Sequence, residues 1–473
     1  MKSFYIYKKF CSVFLMGLLI FSLTGCAGNG NGINNNFPVV VFSDVHFNPF
    51  YDPSLFPVLV DTEPTEWANI FKTSTITTPS TWGNDTNYPL FILALSNIRQ
   101  NLEASPLIIF TGDILGHKFS QMFYALYYGS QGVPAIPDAA AVAAMETFAD
   151  KTVDFFTEQV RSTVGNIPVM FAIGNNDSYE DHGPDSTFLS NTAEYFYANF
   201  LTGTVDHQAF LDTFKKGGYY SAEPPGTNLL VIEINTVPFS PYYPVGDTSN
   251  AVAAELAWFD SQLAQAKAGG KKVWLLIHIP PGADIYSTAQ SVDNNGHIAG
   301  AVMMWNQDYQ ASFLQILSKY PGIIALTLAG HTHMDEYRIQ SSSDVIEITP
   351  SISPRSGNDP AFRVFTFSHD TFKPTDYRTL NYELAINPEQ FNNYYTFSTE
   401  YAMQDSLGDS LAQLFPALVT DNAKQTLYQG HYYSGHNYSI PTFNPITNTN
   451  WPVYWCGIGH MNEQGFFDCV NNY

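Results

Sequence analysis

The sequence predicts an α/β fold whose chemistry sits in loops at the carboxyl ends of buried strands, on two observations. Short apolar runs at residues 37–42 (FPVVVF), 107–110 (LIIF), 168–173 (PVMFAI), 273–277 (VWLLI) and 322–328 (GIIALTL) are separated by long segments with helical stretches. That alternation builds a sheet buried on both faces and covered by helices. Each run also leads into Asp, His or Asn: Asp44 and His46, Asp113, Asn175 with Asn176 and Asp177, His278, and Gly330-His331-Thr332-His333-Met334-Asp335-Glu336. One such residue is an ordinary turn former. Five in one chain point to a common crevice, where open α/β sheets bind ligands.

Along the chain, Lys2, Lys8 and Lys9 precede the apolar stretch Val13 to Leu23, which ends in Leu23-Thr24-Gly25-Cys26. Residues 1–26 thus have the anatomy of a secretory signal peptide and are too short for a comfortable membrane span. Residues 27–36 (AGNGNGINNN) read as a flexible tether. After the first strand, Asp44 and His46 are two apart, a spacing that faces both to one side of an extended strand end. Residues 47–87, rich in Pro, Thr and Asn, read as a long surface excursion before a helix at 89–102. Residues 119–165 read as helical, with Pro137-Asp138 opening an Ala-rich part, and 177–201 as a polar, aromatic rim. A further strand at 229–234 carries no ligand at its end unless Asn235 serves. The helix at 251–268 places Leu256, Phe259 and Leu263 on one face and stops at Gly269-Gly270. Strands at 345–348 and 362–367 flank a Ser/Gly/Pro loop, 351–360. Near residue 376 the strand-and-ligand pattern stops, and 388–405 and 409–418 read as helices. The mature chain is therefore expected to divide into a catalytic domain, 37–375, and a mainly helical C-terminal subdomain, 376–473, in which His431, His436 and His460 are structural.

The balance of 20 Lys and Arg against 43 Asp and Glu, a formal charge of −23, opposes binding to nucleic-acid polymers and to anionic membrane surfaces. Of four cysteines, Cys11 and Cys26 lie in the leader. The remaining Cys456 and Cys469 read as one disulfide in an exported chain. A metal site with His460 is the alternative, although its spacing fits no finger pattern.

Two carboxylates, one amide and four imidazoles exceed what one catalytic zinc takes from a protein, and fit two metals sharing a bridge. The strings D-x-H, GD, GN, H and GHTH, in that order, resemble the calcineurin-like metallophosphoesterases. SDVHFNPFYD (43–52), GDILGH (112–117), HIPPG (278–282), GHTHMDEY (330–337) and PSISPRSGNDPAFRV (350–364) more narrowly resemble the acid sphingomyelinase-like phosphodiesterases. The resemblance implies a metallophosphoesterase β-sandwich flanked by helices. It implies Asp44, His46, Asp113 and His333 on one metal and Asp113, Asn175, His278 and His331 on the other. Zinc suits four imidazoles in an exported chain. The implied reaction is hydrolysis of a phosphodiester by in-line attack of water activated between the metals.

His117 matches the histidine that sits over the leaving group, and is expected to be the general acid. The chain departs from the family at Asn176, where a histidine usually contacts phosphate; an amide can hydrogen-bond there but cannot supply a proton. His182 is a candidate substitute. Leu23 to Cys26 also resembles the bacterial lipobox, implying a lipid anchor on Cys26, with Ala27 favouring the outer membrane; plain secretion is the alternative. Residues 27–36 leave no room for the lipid-lifting module of the mammalian lipid-cleaving enzyme. The expected substrate is therefore a small soluble phosphodiester, whether a nucleotide or choline-containing, acted on by a monomer. Tyr219-Tyr220 and Tyr242-Tyr243 either stack on a base or choline or simply pack. The rival readings are a tethered binding protein for metal or phosphate that lost turnover through Asn176, and a phosphomonoesterase.

Overall fold

Two six-stranded sheets face each other in the computed structural model, which describes residues 36–180, 182–243, 246, 248–340, 344–435 and 445–473. In chain order the strands are β1 (Asn36–Phe42), β2 (Ile108–Phe110), β3 (Val169–Phe171), β4 (Tyr220–Ala222), β5 (Leu229–Glu233), β6 (Lys272–Leu276), β7 (Ile324–Ala329), β8 (Glu336–Ile339), β9 (Val345–Ile348), β10 (Ala361–Ser368), β11 (Pro374–Asn381) and β12 (Asn392–Thr396). The first sheet runs β12-β11-β10-β1-β2-β3 and the second β4-β5-β6-β7-β9-β8. The expected signal peptide, lipobox and tether, up to residue 35, and His436 lie outside the described residues.

Each sheet contains a parallel run, β1-β2-β3 at one side of the first sheet, beside the antiparallel β10, and β5-β6-β7 in the second. Covered on both faces, these strands are mostly apolar; Val39, Val40 and Val41 of β1 are fully buried. Trp274 of β6 crosses the space between the sheets, its ring 4.1 Å from that of Phe367 on β10, and its indole N–H donates to the carbonyl of Phe372 at 2.7 Å. Helices Tyr88–Gln100 and Ala139–Val164 cover the outer face of the first sheet, where Phe156 packs on Phe91 and Phe110. Asp138 caps the second of these helices as Pro137-Asp138 predicts, accepting from the amides of Ala140 and Ala141 at 3.0 Å. Helix Ser249–Ala268 covers the second sheet with Leu256, Phe259 and Leu263 buried.

Three expectations differ from the structure. Residues 47–87 are not a surface excursion: helices Phe56–Asp61 and Pro64–Phe71 bury Phe56, Leu59, Trp67 and Phe71 in the main core. The stretch expected as a helix at 388–405 forms β12 and a single turn, Phe397–Glu400. Its Asn/Tyr/Thr run extends the first sheet, as aromatic and β-branched residues favour. The division expected at residue 376 runs through β11. Beyond it, helix Leu407–Thr420 contains the segment predicted at 409–418. Among the described residues no helix is long and apolar enough to cross a membrane.

Cys456 and Cys469 form a disulfide between the helices Trp451–Gly459 and Glu463–Asn471, 13 positions apart. Closing a loop of that length should stabilise the fold by about 3 kcal/mol in the chain-entropy model. Replacing both cysteines with Ala is expected to lower the urea midpoint accordingly.

Candidate metal centre

The parallel topology puts the carboxyl ends of β1, β2 and β3 opposite those of β6 and β7, and the loops that leave them are stitched together. The amide of Asp44 donates to the carbonyl of Gly112 at 2.9 Å, that of His46 to Asp113 at 3.0 Å, and that of Gly330 to His278 at 3.0 Å. Two glycines let these loops close. A Cβ on Gly174 would collide with the carboxylate of Asp113, and one on Gly330 would strike Ser43 and come within 2.7 Å of Asp44 Oδ2. Positive φ values at Asp44 (46°), His46 (46°), Asp113 (65°), His331 (73°) and His333 (69°) aim the side chains inward. Each left-handed non-glycine residue costs on the order of 1–3 kcal/mol, strain that concentrates at functional sites.

Seven side chains predicted from the strand ends converge on this point. Around His46 Nε2 lie His333 Nε2 at 3.0 Å, Asp113 Oδ2 at 3.4 Å and Asp44 Oδ1 at 3.8 Å, with His333 Nε2 3.5 Å from Asp44 Oδ1. Around His278 Nε2 lie Asp113 Oδ2 at 3.3 Å and Asn175 Oδ1 at 3.2 Å, with His331 Nδ1 2.8 Å from Asn175 Oδ1. Asp113 Oδ2 is common to both sets. Four donors at 2.0–2.1 Å from one ion span edges of about 3.4 Å, so each set could hold a divalent cation.

The hydrogen bonds behind the ligands support the same fit. His46 Nδ1 donates to the carbonyl of Leu115 (3.0 Å) and His278 Nδ1 to that of Thr111 (2.7 Å), so that Nε2 of each is the nitrogen turned to the centre, a lone pair in the neutral ring. His46 Nε2 then faces His333 Nε2, and His278 Nε2 faces two oxygens. Acceptors face acceptors, an arrangement a cation resolves.

Charge in the pocket is distributed to match. Burial pushes His46 down to about 4 and His331 to about 3, and drives His333 well below the ordinary histidine range, so all three are neutral donors. Burial also acts downward on His278, but Asp113 outweighs it and holds the imidazole up at about 9. Without metal, a proton on His278 does the cation's work. Burial pushes Asp44 up to about 7, the Asp113 charge adding to it, whereas His278 and His46 overcome burial to keep Asp113 well below the carboxylate range.

Sequence reasoning gave no separate role to two carboxylates, Asp177 and Asp85. Asp177 is fully buried and accepts four backbone amides: Gly174 at 2.8 Å and Asp113 at 3.1 Å on Oδ2, and Ile114 at 2.7 Å and Leu115 at 3.3 Å on Oδ1. It thereby locks the loop bearing Asp113 to the loop bearing Asn175. Its position next to GNN in the sequence was the available signal. Asp85 accepts from both the amide (2.8 Å) and Nδ1 (2.9 Å) of His117, and lies 3.8 Å from Arg355. Burial opposes its ionisation, but the bond to His117 and the neighbouring charges hold it below the usual range.

The His117 ring stacks on His46 with centroids 4.0 Å apart. Nδ1 is taken by Asp85, so Nε2 is the nitrogen that remains. Asn176 turns inward: its amide N–H donates to Asp113 Oδ1 (2.8 Å) and its Nδ2 to Asp113 Oδ2 (2.9 Å). It therefore holds Asp113 by the hydrogen bonding that an amide can supply at this position. Asn235 is not part of the centre; it accepts from Val237 and donates to Gly217. Tyr220 is buried against Phe171, and Tyr219 packs on Trp258, so this pair is structural. His431 is likewise buried, stacked on Tyr395 at 4.0 Å. Cys456 and Cys469, being bonded to each other, leave no metal site for His460.

His331, Asp284 and Met304 separate, and are shared by, two cavities. One, of about 440 Å³, extends past Tyr286, Tyr432 and Arg355. The other, of about 110 Å³, is lined by Asn175, His182, Tyr242 and Tyr243.

The family model described as calcineurin-like phosphoesterase matches residues 37–335. The chain is 24% identical over 351 residues to the sphingomyelinase phosphodiesterase C of Dictyostelium discoideum, covering 69% of this chain and 73% of that protein. It is 24% identical over 460 residues to the cyclic GMP-AMP phosphodiesterase SMPDL3A of Mus musculus, covering 91% of each. A solved dimetal phosphatase from Danio rerio aligns with 73% of this chain and 94% of its own at 12% identity, with a TM-score of 0.39.

Proposed function

Because the chain belongs to the calcineurin-like phosphoesterase family of metal-dependent hydrolases, we propose that it is an exported phosphodiesterase that cleaves a small soluble phosphodiester at a dinuclear centre. The observation that carries this reading is the pair of four-donor sets sharing Asp113 Oδ2. Asp44, His46, Asp113 and His333 would hold one metal and Asp113, Asn175, His278 and His331 the other, and zinc would suit four imidazoles. Two bound cations at such a centre supply an activated water and neutralise charge at phosphorus during in-line displacement.

The remaining groups of the chain have separate tasks. Asp85 accepts from Nδ1–H of His117 and so orients Nε2; it is the imidazolium, carrying a second proton on Nε2, that gives that proton to the departing alkoxide and is left as the Nδ1–H tautomer. Asn176 and Asp177 keep Asp113 in register. The cavities on either side of His331 give each ester arm its own compartment, which favours a diester over a monoester. Curated relatives named for sphingomyelin and cyclic GMP-AMP leave lipid headgroup and nucleotide diesters as the substrate classes. Export is supported by the leader and by the disulfide, a bond of oxidising compartments. Cys26 then anchors the monomer through its tether.

The test is metal content and turnover of bis-p-nitrophenyl phosphate, measured beside His331→Ala. About two metals per chain with diester turnover, lost in the variant, is the expected result. Faster turnover of p-nitrophenyl phosphate than of the diester would mean a monoesterase. Two metals without turnover would mean a binding protein, and no metal would sink the reading.

A further inference from the structure

Asp335 and Glu336 follow the last histidine of GHTHMDE and serve no metal, yet both are buried. As neighbours entering a strand they diverge. Asp335 turns into the interior, where Arg363 and the hydroxyl of Tyr395 bind it. Glu336 instead lines the 440 Å³ cavity beside His331. It is 4% exposed, and its Oε1 has no hydrogen-bond partner. Its other oxygen lies 3.9 Å from Arg338, which sits behind the cavity wall and donates to the carbonyl of Pro281.

The cavity's other charges are divided. Asp284 adds a second carboxylate, with both oxygens engaged by Ser287. Arg355 enters beside Ser356, whose hydroxyl is 3.1 Å from His333 Nδ1, so the positive group stands next to the metal ligands. Tyr286, Met304, Met334 and Tyr432 make the remaining wall aromatic and polarisable. A buried carboxylate on the cavity wall with an unpaired oxygen favours an N–H or O–H donor in whatever fills the space. A methyl-capped ammonium has no such hydrogen.

We infer that this compartment receives an ester arm ending in an N–H donor, a primary ammonium being the simplest, and that the Glu336 carboxylate accepts from it. The inference rests on the phosphodiesterase reading: phosphate lies at the metal centre and the arm extends past His331 to Glu336. Substrates of this kind are zwitterionic, with the anion by Arg355 and the donor at Glu336.

The experiment uses the metal-loaded exported protein and competitive inhibition of bis-p-nitrophenyl phosphate hydrolysis by three monoesters: 2-aminoethyl phosphate, its isostere n-propyl phosphate, and phosphocholine. The expected result is that 2-aminoethyl phosphate binds about tenfold more tightly than n-propyl phosphate, a charge-assisted hydrogen bond's worth. The preference should collapse to near unity in Glu336→Gln. Glu336→Asp, which keeps the charge opposite Arg338 but withdraws the oxygen, should lose it too. Equal inhibition by the two isosteres in the native protein overturns the inference without any variant. So does tighter binding of phosphocholine than of 2-aminoethyl phosphate, which would mean a cation–aromatic site. Absence of bis-p-nitrophenyl phosphate turnover, by contrast, would be failure of the phosphodiesterase reading itself.

Discussion

Asp113→Asn is expected to disable both halves of the metal centre at once and to lower diester turnover by on the order of a thousandfold or more. Loss of a residue merely supporting a ligand typically costs 10–100-fold, and Asp113 Oδ2 belongs to both donor sets. Metal analysis should fall from about two ions per chain to one or none. The fold should survive, because Asp113 is one of the charges that raise Asp44 and Asp177. With chelator present at pH 7 the variant should melt somewhat lower than the native protein, because it loses the charge that holds the His278 proton, with relief of Asp44 and Asp177 offsetting part of that loss; with zinc added, only the native protein should gain stability.

The pH dependence of the chelated native protein follows from His278. Its imidazole is raised from 6.5 to about 9 by Asp113, against the pull of burial. The stabilisation is complete below pH 6.5 and is lost as pH rises through 9. Metal uptake below pH 9 must expel that proton, so binding should release acid. Calorimetry in two buffers of different ionisation heat would detect it. Proton-silent uptake at pH 7 would contradict the assignment of His278 as a ligand.

His117→Ala is expected to slow cleavage of a diester with an alkyl leaving group by about 10²–10⁴-fold, the span typical of a positioned general acid. Bis-p-nitrophenyl phosphate, whose leaving group needs little protonation, should lose far less. Asp85→Ala should reproduce the same leaving-group dependence at smaller amplitude, because it removes only the group that orients the ring. If the alkyl diester turns over unchanged in His117→Ala while His331→Ala is inactive, the proton comes from elsewhere, and His182 in the smaller cavity becomes the group to test.

Ligands and strands were legible in the sequence for a local reason. Each pairs a short apolar run with a glycine, an aspartate or a histidine at its end, and parallel topology converts those strand ends into one crevice. Asp85 was not legible in this way. It sits in an irregular polar stretch, and only the fold carries it to His117, 32 positions later. Asn176 could be read as a departure from the family, but not as a donor to Asp113, because its orientation depends on the turn that follows. The buried helices at 56–71 did leave a trace. Phe56, Leu59 and Val60, then Trp67, Ile70 and Phe71, have helical spacing, and Pro53 and Pro64 stand where helices begin. The Pro and Thr content around them masks that spacing.

The left-handed backbone at Asp44, His46, Asp113, His331 and His333 has an evolutionary meaning. Glycine or asparagine would rest more easily at these positions, and neither would keep the chemistry. Were selection for turnover relaxed, substitutions there would tend to make the chain sturdier as they made it idle. A lineage of this protein that gave up catalysis would therefore drift toward a more stable, metal-poor scaffold with its cleft intact, reached by small steps that each favour folding.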